Sequence, residues 1–283
     1  MISSKKYVDE TLKYYHLNAN KSLGQNFLVE ENIAKEIVDS ANITSSFCVI
    51  EIGPGLGALT EFCIEKAGLV WAFEIDENMV KILNETFKNF QNIQIFHKDF
   101  LKVDIIQLVK SIQLKGFQDI IILSNLPYYI TSKLLNKILI HDMPIFTLIT
   151  MMQKEVGQKI LKPQKKDFNV LSVILDYQYQ VSIVKYVGKN SYLPRPEIDS
   201  IVLKFEKIMP RYNVPFQTLL QVADTLFTYR RKTIYNNLKA LFKNNDELTN
   251  CLNHFNLSPN MHVEQLTTQQ IVQLANYLSN HFA

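Results

Sequence analysis

Cysteine is scarce in this chain, and its three copies, Cys48, Cys63 and Cys251, are scattered. No CxxC pair and no Cys/His cluster occurs, so neither a zinc site nor a disulfide framework is expected, and no metal ligands are assigned. A reducing, cytoplasmic setting fits that usage. No apolar run approaches the roughly 18 residues of a membrane span. The N-terminal MISSKKYVDETLKYYHL lacks the apolar core of a signal peptide. The expectation is a soluble protein without a membrane partner. Internal repeats and low-complexity linkers are also missing. Arginine occurs only at positions 195, 211, 230 and 231, and the last two adjoin Lys232.

What is present suits a packed globular chain: 283 residues, 47% hydrophobic, enough for one large domain and a small one. The net charge of +3 is unevenly spread. Residues 1–22 hold four Lys against Asp9 and Glu10, and residues 208–283 hold six basic against four acidic side chains. The intervening body is near neutral. Basic ends around a neutral body suit a polyanionic partner.

Apolar runs with strand character cover 47–52, 70–75, 93–97, 120–124, 146–152 and 201–205. Helical spacing covers 31–41, 58–66 and 79–87, and residues 171–186 read as a helix followed by a strand. Alternation at this pitch predicts an α/β, Rossmann-like doubly wound sheet. After Pro210 and Pro215 the pattern becomes helical over 219–226, 234–242 and 268–278. The expected division is a sheet domain over 1–207 and a small all-α domain over 208–283.

Chemistry-bearing residues fall at the ends of the predicted strands. Gly53, Gly55 and Gly57 follow the first strand and let backbone approach a ligand closely beside a helix N-terminus. Glu74 ends the second strand, where a carboxylate can accept from both hydroxyls of a ribose. A nicotinamide enzyme would share both features. The loop, however, reads G-x-G-x-G rather than G-x-G-x-x-G, and no hydride-transfer constellation accompanies it. Asp99, after the third strand, can accept from an adenine amine, with Phe100 as an apolar wall. Together the three favour S-adenosylmethionine. The fourth strand ends in Asn125-Leu126-Pro127-Tyr128, followed by Tyr129, which offers an amide, a carbonyl and flat faces to a base carrying an exocyclic amine. Of the six histidines only His97 lies near a motif, and a solvated surface role is expected for it.

Upstream stands Leu23-Gly24-Gln25-Asn26-Phe27-Leu28, and downstream Met152-Gln153-Lys154-Glu155-Val156, then Tyr192-Leu193-Pro194-Arg195-Pro196-Glu197-Ile198-Asp199-Ser200, and Arg230-Arg231-Lys232-Thr233. With the glycine loop and the Asn-Leu-Pro-Tyr segment, these motifs resemble the ribosomal RNA adenine dimethyltransferase family from about Lys21 to Leu241. The resemblance implies that Asn26, Leu28, Gly53, Glu74, Asp99 and Asn125 contact S-adenosylmethionine. It implies as substrate two adjacent adenosines in the hairpin loop near the 3′ end of 16S rRNA, each dimethylated on N6 within the 30S subunit, by a monomer. A role in small-subunit biogenesis goes with that substrate.

In this reading Asn125 and the Leu126 carbonyl accept from the N6 hydrogens, Pro127 fixes the turn, and Tyr128 and Tyr192 stack on the flipped base. Arg230, Arg231 and Lys232 would contact phosphates, although a basic triplet by itself reads as a solvated helix start until the resemblance assigns it. Lys162, Lys165 and Lys166 form a second basic candidate. Three positions depart from the family pattern: Tyr129 where Asn is usual, Tyr192 where Phe is, and Glu197 where Lys is. A large-subunit rRNA methyltransferase would share the cofactor motifs, and the 153–156 and 230–233 segments favour the small-subunit enzyme. A non-catalytic assembly factor is disfavoured by the intact Gly53, Glu74, Asp99 and Asn125.

Overall fold

The computed structural model describes residues 1–125, 130–210 and 213–282. They divide into two compact units, one of Met1–Gln158 with Val181–Lys207, the other of Lys159–Gln180 with Ile208–Ala283. The first holds α1 (Lys5–Tyr14), β1 (Phe27–Leu28), α2 (Glu31–Ser40), β2 (Cys48–Ile52), α3 (Thr60–Cys63) and β3 (Leu69–Glu74). It continues with α4 (Glu77–Thr86), β4 (Ile93–His97), α5 (Ile105–Leu114), β5 (Ile120–Asn125), α6 (Thr131–Leu139), β6 (Ile145–Gln153) and the start of α7 (Lys154–Leu161).

Five strands, β2 to β6, are parallel, and their runs of Val, Ile and Leu suit burial on both faces. All five residues of β2 are buried, as are the first five of β5, whereas β4 at the edge is only partly covered. The seven-stranded sheet runs β4-β3-β2-β5-β6-β9-β7, with β7 at Tyr179–Val187 and β9 at Ser200–Lys207. β9 is antiparallel to β6. A separate pair joins β1 to β8 (Tyr192–Leu193). The doubly wound sheet expected from the sequence is therefore present, with a mixed edge.

From β2 the chain steps outward through β3 to β4, then returns to β5 on the other side of β2. That reversal opens a crevice above the carboxyl ends of β2 and β5, where such sheets bind ligands. Register sets what stands there. Ile52 pairs with both Phe73 and Ser124, so Gly53, Glu74 and Asn125 come next at a common height. The Ser124 hydroxyl donates to the Ile52 carbonyl at 2.7 Å and clamps the two strand ends together.

The second unit contains α8 (Val170–Gln178), α9 (Phe216–Thr228), α10 (Ile234–Leu238), α11 (Asn245–His254) and α12 (Thr268–Phe282). Leu219, Val222, Ala223 and Leu226 of α9 share its core with Ile271, Leu274 and Ala275 of α12. Residues 159–180, which sequence alone puts with the sheet, cluster here because α8 buries Leu171, Ile174 and Leu175 in contact with α9. The Tyr177 hydroxyl also donates to the Val214 carbonyl at 2.6 Å. Helices at 5–14, 105–114, 131–139, 154–161 and 245–254 carry no counterpart in the sequence reading. The helix expected over 58–66 is regular only at Thr60–Cys63, and that over 234–242 tightens to 3₁₀ at Lys239–Leu241. Among the described residues no helix is long and apolar enough to cross a membrane.

Candidate active site

A cavity of about 200 Å³ lies at the carboxyl edge of the sheet. Its floor is the loop after β2. Gly53 and Gly57 have φ of +69° and +96°, a region that side-chain-bearing residues rarely adopt. A Cβ at Gly57 would also come within 2.8 Å of the Phe87 ring. The Gly53 N–H donates to the Phe73 carbonyl at 2.9 Å, which ties the loop to β3.

Glu74 ends β3 with its carboxylate turned back under that loop. Oε2 accepts from the Gly55 N–H at 3.1 Å, and Oε1 from the N–H groups of Ile75 at 2.7 Å and Asp76 at 2.9 Å. Burial raises its pKa above the ordinary carboxylate value, and those three backbone N–H groups pull the other way. Beyond β4, Asp99 accepts from the Leu101 N–H at 2.9 Å and caps the turn Phe100–Lys102. Phe100 is buried edge-on against Phe73, with ring centroids 5.2 Å apart, and lines the cavity. His97 is exposed, its Nε2 3.1 Å from the Ile75 carbonyl oxygen.

Asn125 closes the opposite wall. Its Nδ2 donates to the Asn26 carbonyl at 3.4 Å, leaving Oδ1 as the accepting end of the amide. Asn26 in turn donates to the Gly24 carbonyl at 3.0 Å. Leu28 pairs with Tyr192 across the β1/β8 ladder, and the Tyr192 hydroxyl donates to Met151 Sδ at 2.8 Å. Tyr192 is only 4% exposed, so its ring is mostly covered by the fold.

One cavity thus brings together Asn26, Leu28, Gly53, Glu74, Asp99, Asn125 and Tyr192. Leu126, Pro127, Tyr128 and Tyr129 lie outside the described residues. Arg230, Arg231 and Lys232 belong to the helical unit, in the turn between α9 and α10. There the Arg230 guanidinium donates to the Lys165 carbonyl at 3.3 Å and lies 3.7 Å from a Glu264 oxygen. Lys232 Nζ sits 4.2 Å from the centre of the Tyr229 ring. Arg231 and Lys232 are exposed, as are Lys162, Lys165 and Lys166. The two basic clusters that sequence separates are therefore tied to one turn. Glu197 is exposed on the sheet unit.

Sequence reading missed Glu51, buried in β2 and bordering the cavity, and Thr60, whose hydroxyl donates to it at 2.6 Å. The available signal was a charge inside an otherwise apolar strand. It also missed Ile2 and Val8, which the N-terminal segment with α1 brings to the cavity wall.

Among solved structures, a dimethyladenosine transferase from Plasmodium falciparum shares the fold with a TM-score of 0.70 at 21% identity, covering 87% of this chain and 94% of that one. The 23S rRNA methyltransferase ErmE shares it with a TM-score of 0.64 at 22% identity, covering 90% and 100%. In sequence, the ribosomal RNA small subunit methyltransferase A of Lysinibacillus sphaericus (strain C3-41) is 38% identical over 281 residues, 97% of this chain and 96% of that protein. The family model described as ribosomal RNA adenine dimethylase matches residues 16–280. With nearly the whole chain matched at both levels, the protein belongs to the ribosomal RNA adenine dimethylase family.

Proposed function

We propose that the protein uses S-adenosylmethionine to dimethylate N6 of two adjacent adenosines in the 3′-terminal hairpin loop of 16S rRNA, during assembly of the small ribosomal subunit. The observation that carries this reading is the single cavity at the sheet's switch point, where the Gly53 loop, Glu74, Asp99 and Asn125 converge. The residues present fit the methyl donor. Space above Gly53 is open, with nothing within 4 Å of where a Cβ would stand. Glu74 offers a carboxylate at the height of a ribose, and Asp99 a second carboxylate one strand further out.

When bound, the donor supplies an electrophilic methyl group for in-line displacement. The protein's part is to present the nucleophile. Adenine N6 is a poor one because its lone pair is delocalised into the ring. Asn125 Oδ1 and the Leu126 carbonyl would accept from the N6 hydrogens and localise that pair, while Asn26 holds the Asn125 amide in the required sense. Tyr128 would stack on the base, with Tyr192 forming the opposite wall. Extracting a base costs a few kcal/mol, and stacking returns roughly 1–3 kcal/mol per base, so aromatic faces can offset the cost. No general base is needed, because the methylated, cationic N6 loses its proton to water.

Arg231 and Lys232, beside the Lys165 loop, would hold RNA phosphates, with Arg230 bracing the two segments. The protein would act as a monomer in the cytoplasm, which suits three free, buried thiols. Incubating the enzyme and donor with undermethylated 30S particles and with 23S rRNA, then mapping the products by mass, tests the reading. Methylation confined to the 16S 3′ hairpin is expected, and methylation of 23S rRNA alone would refute it.

A further inference from the structure

Tyr229 has no task in the reading above, although it opens the basic turn between α9 and α10. The residues of that turn are used in two ways. Arg230 faces inward: its guanidinium donates to the Lys165 carbonyl at 3.3 Å, lies 3.7 Å from a Glu264 oxygen and stands 5.9 Å from the centre of the Phe227 ring. Arg231 and Lys232 are exposed, and Tyr229 is 58% exposed beside them. A lone apolar side chain in water is ordinary. The setting of this one is not. Its carbonyl accepts from the Lys232 N–H at 2.8 Å and from the Asn237 side-chain amide at 3.2 Å. Asn237 is buried, and the same Nδ2 donates to the Leu226 carbonyl at 3.0 Å, in the last turn of α9. At the far end of the turn Thr233 bridges to His262, and the Ile234 N–H donates to the Met261 carbonyl at 2.7 Å.

An exposed aromatic ring is thus mounted on a turn braced at both ends, and a tyrosine has few side-chain torsions left to order on binding. Lys232 Nζ lies 4.2 Å from the ring centre, so a cation backs one face and the open side is left to a planar partner. A nucleotide matches both features: a flat base for the ring and phosphates for the neighbouring cations. An acidic peptide would use the charges and leave the ring idle. We propose that Tyr229 is a stacking platform for an unpaired base of the ribosomal RNA, with Arg231 and Lys232 meeting the phosphates beside it. The contact adds affinity and no chemistry, since the base it takes is not the one methylated. This inference rests on the reading that the basic turn holds RNA.

Salt separates stacking from charge. Binding of the full chain to 30S particles, measured across a range of salt concentrations, gives an affinity and a slope of log affinity against log salt for each variant. Tyr229→Leu should bind about tenfold more weakly at every salt concentration with an unchanged slope, because stacking releases no counterions. Tyr229→Phe keeps the ring and should bind like the wild type. Lys232→Ala should lower the slope by about one. The chain's one tryptophan, Trp71, is buried, so Tyr229→Trp adds an exposed reporter whose emission should be quenched when a base stacks on the new indole. Wild-type affinity in Tyr229→Leu overturns the proposal. So does a slope lowered by about one in Tyr229→Leu, which would make the ring a mere support for Lys232, or a Tyr229→Phe variant as weak as Tyr229→Leu. An indole emission that shifts to the blue without quenching marks contact with a protein and overturns it too. Salt-independent binding by the wild-type protein, or none, refutes RNA at this turn and this inference with it, whereas a normal salt slope with an indifferent Tyr229→Leu refutes this inference alone.

Discussion

In the proposed reaction Asn125 presents the adenine amine, and its amide sits at the end of β5, held by the Asn26 carbonyl. Asn125→Ala should abolish methyl transfer while the fold survives, read by product mass beside an unchanged thermal unfolding curve. Near wild-type dimethylation by the variant would remove Asn125 from the mechanism. Tyr128→Ala should lose roughly ten- to a hundredfold in rate while Tyr128→Phe loses far less, because stacking needs the ring and not the hydroxyl. Equal rates would argue against stacking.

Glu51 supplies a pH test at the same scale. Its carboxyl rises from 4.5 in the unfolded range to about 7 in the fold, so the native state binds the extra proton. Stability from this group is present below pH 4.5 and lost as pH climbs to about 7, by roughly 3 kcal/mol. In urea unfolding, the stability of Glu51→Gln relative to wild type should therefore increase between pH 5 and 8, and parallel profiles would contradict it. Gly53, Glu74, Asp99 and Asn125 were legible in the sequence because glycines and lone acidic or amide groups at strand ends have few structural uses together. Asn26, Leu28 and Tyr192 were placed through the resemblance. They reach the cavity through the β1/β8 pairing of segments far apart in the chain, which no local pattern reveals. Glu51 was passed over because a single charge, the one signal it leaves, does not break the apolar signature of a buried strand.

Among the elements, strands were easier to read than helices. β2, β5 and β6 are mainly apolar runs, interrupted only by Glu51 in β2, by Thr147 and Thr150 in β6 and by the polar ends of β5 and β6, and burial leaves that mark directly. The unread α5 is rich in Ile and Val, which imitates a strand, and it is specified instead by its cap. Asp104 accepts from the N–H groups of Ile106 and Gln107 at 3.0 and 3.1 Å. Asp104→Ala should lower stability by about 1 kcal/mol in thermal or urea unfolding, and an unchanged midpoint would show that packing alone holds the helix. α8 marks a second limit. Its apolar surface shows that it is buried, but not against which unit, and residues 159–180 cluster with helices that begin only at Phe216, beyond the intervening strands β8 and β9 of the sheet unit.

For the whole molecule, the two units carry different surface features. The sheet unit carries the cavity, and the helical unit carries exposed Arg231 and Lys232 beside the Lys165 loop. If those side chains hold phosphates, Arg231→Ala should weaken binding to 30S particles and lower the slope of log affinity against log salt by about one. A variant with an unchanged slope would place the RNA elsewhere. The central claim is tested most directly by mass mapping of 16S rRNA from undermethylated 30S particles after incubation with enzyme and S-adenosylmethionine. The account predicts four methyl groups on two adjacent adenosines of the 3′-terminal hairpin, and none with Asn125→Ala. An unmodified hairpin with the wild-type protein, or one fully methylated by the variant, would contradict it.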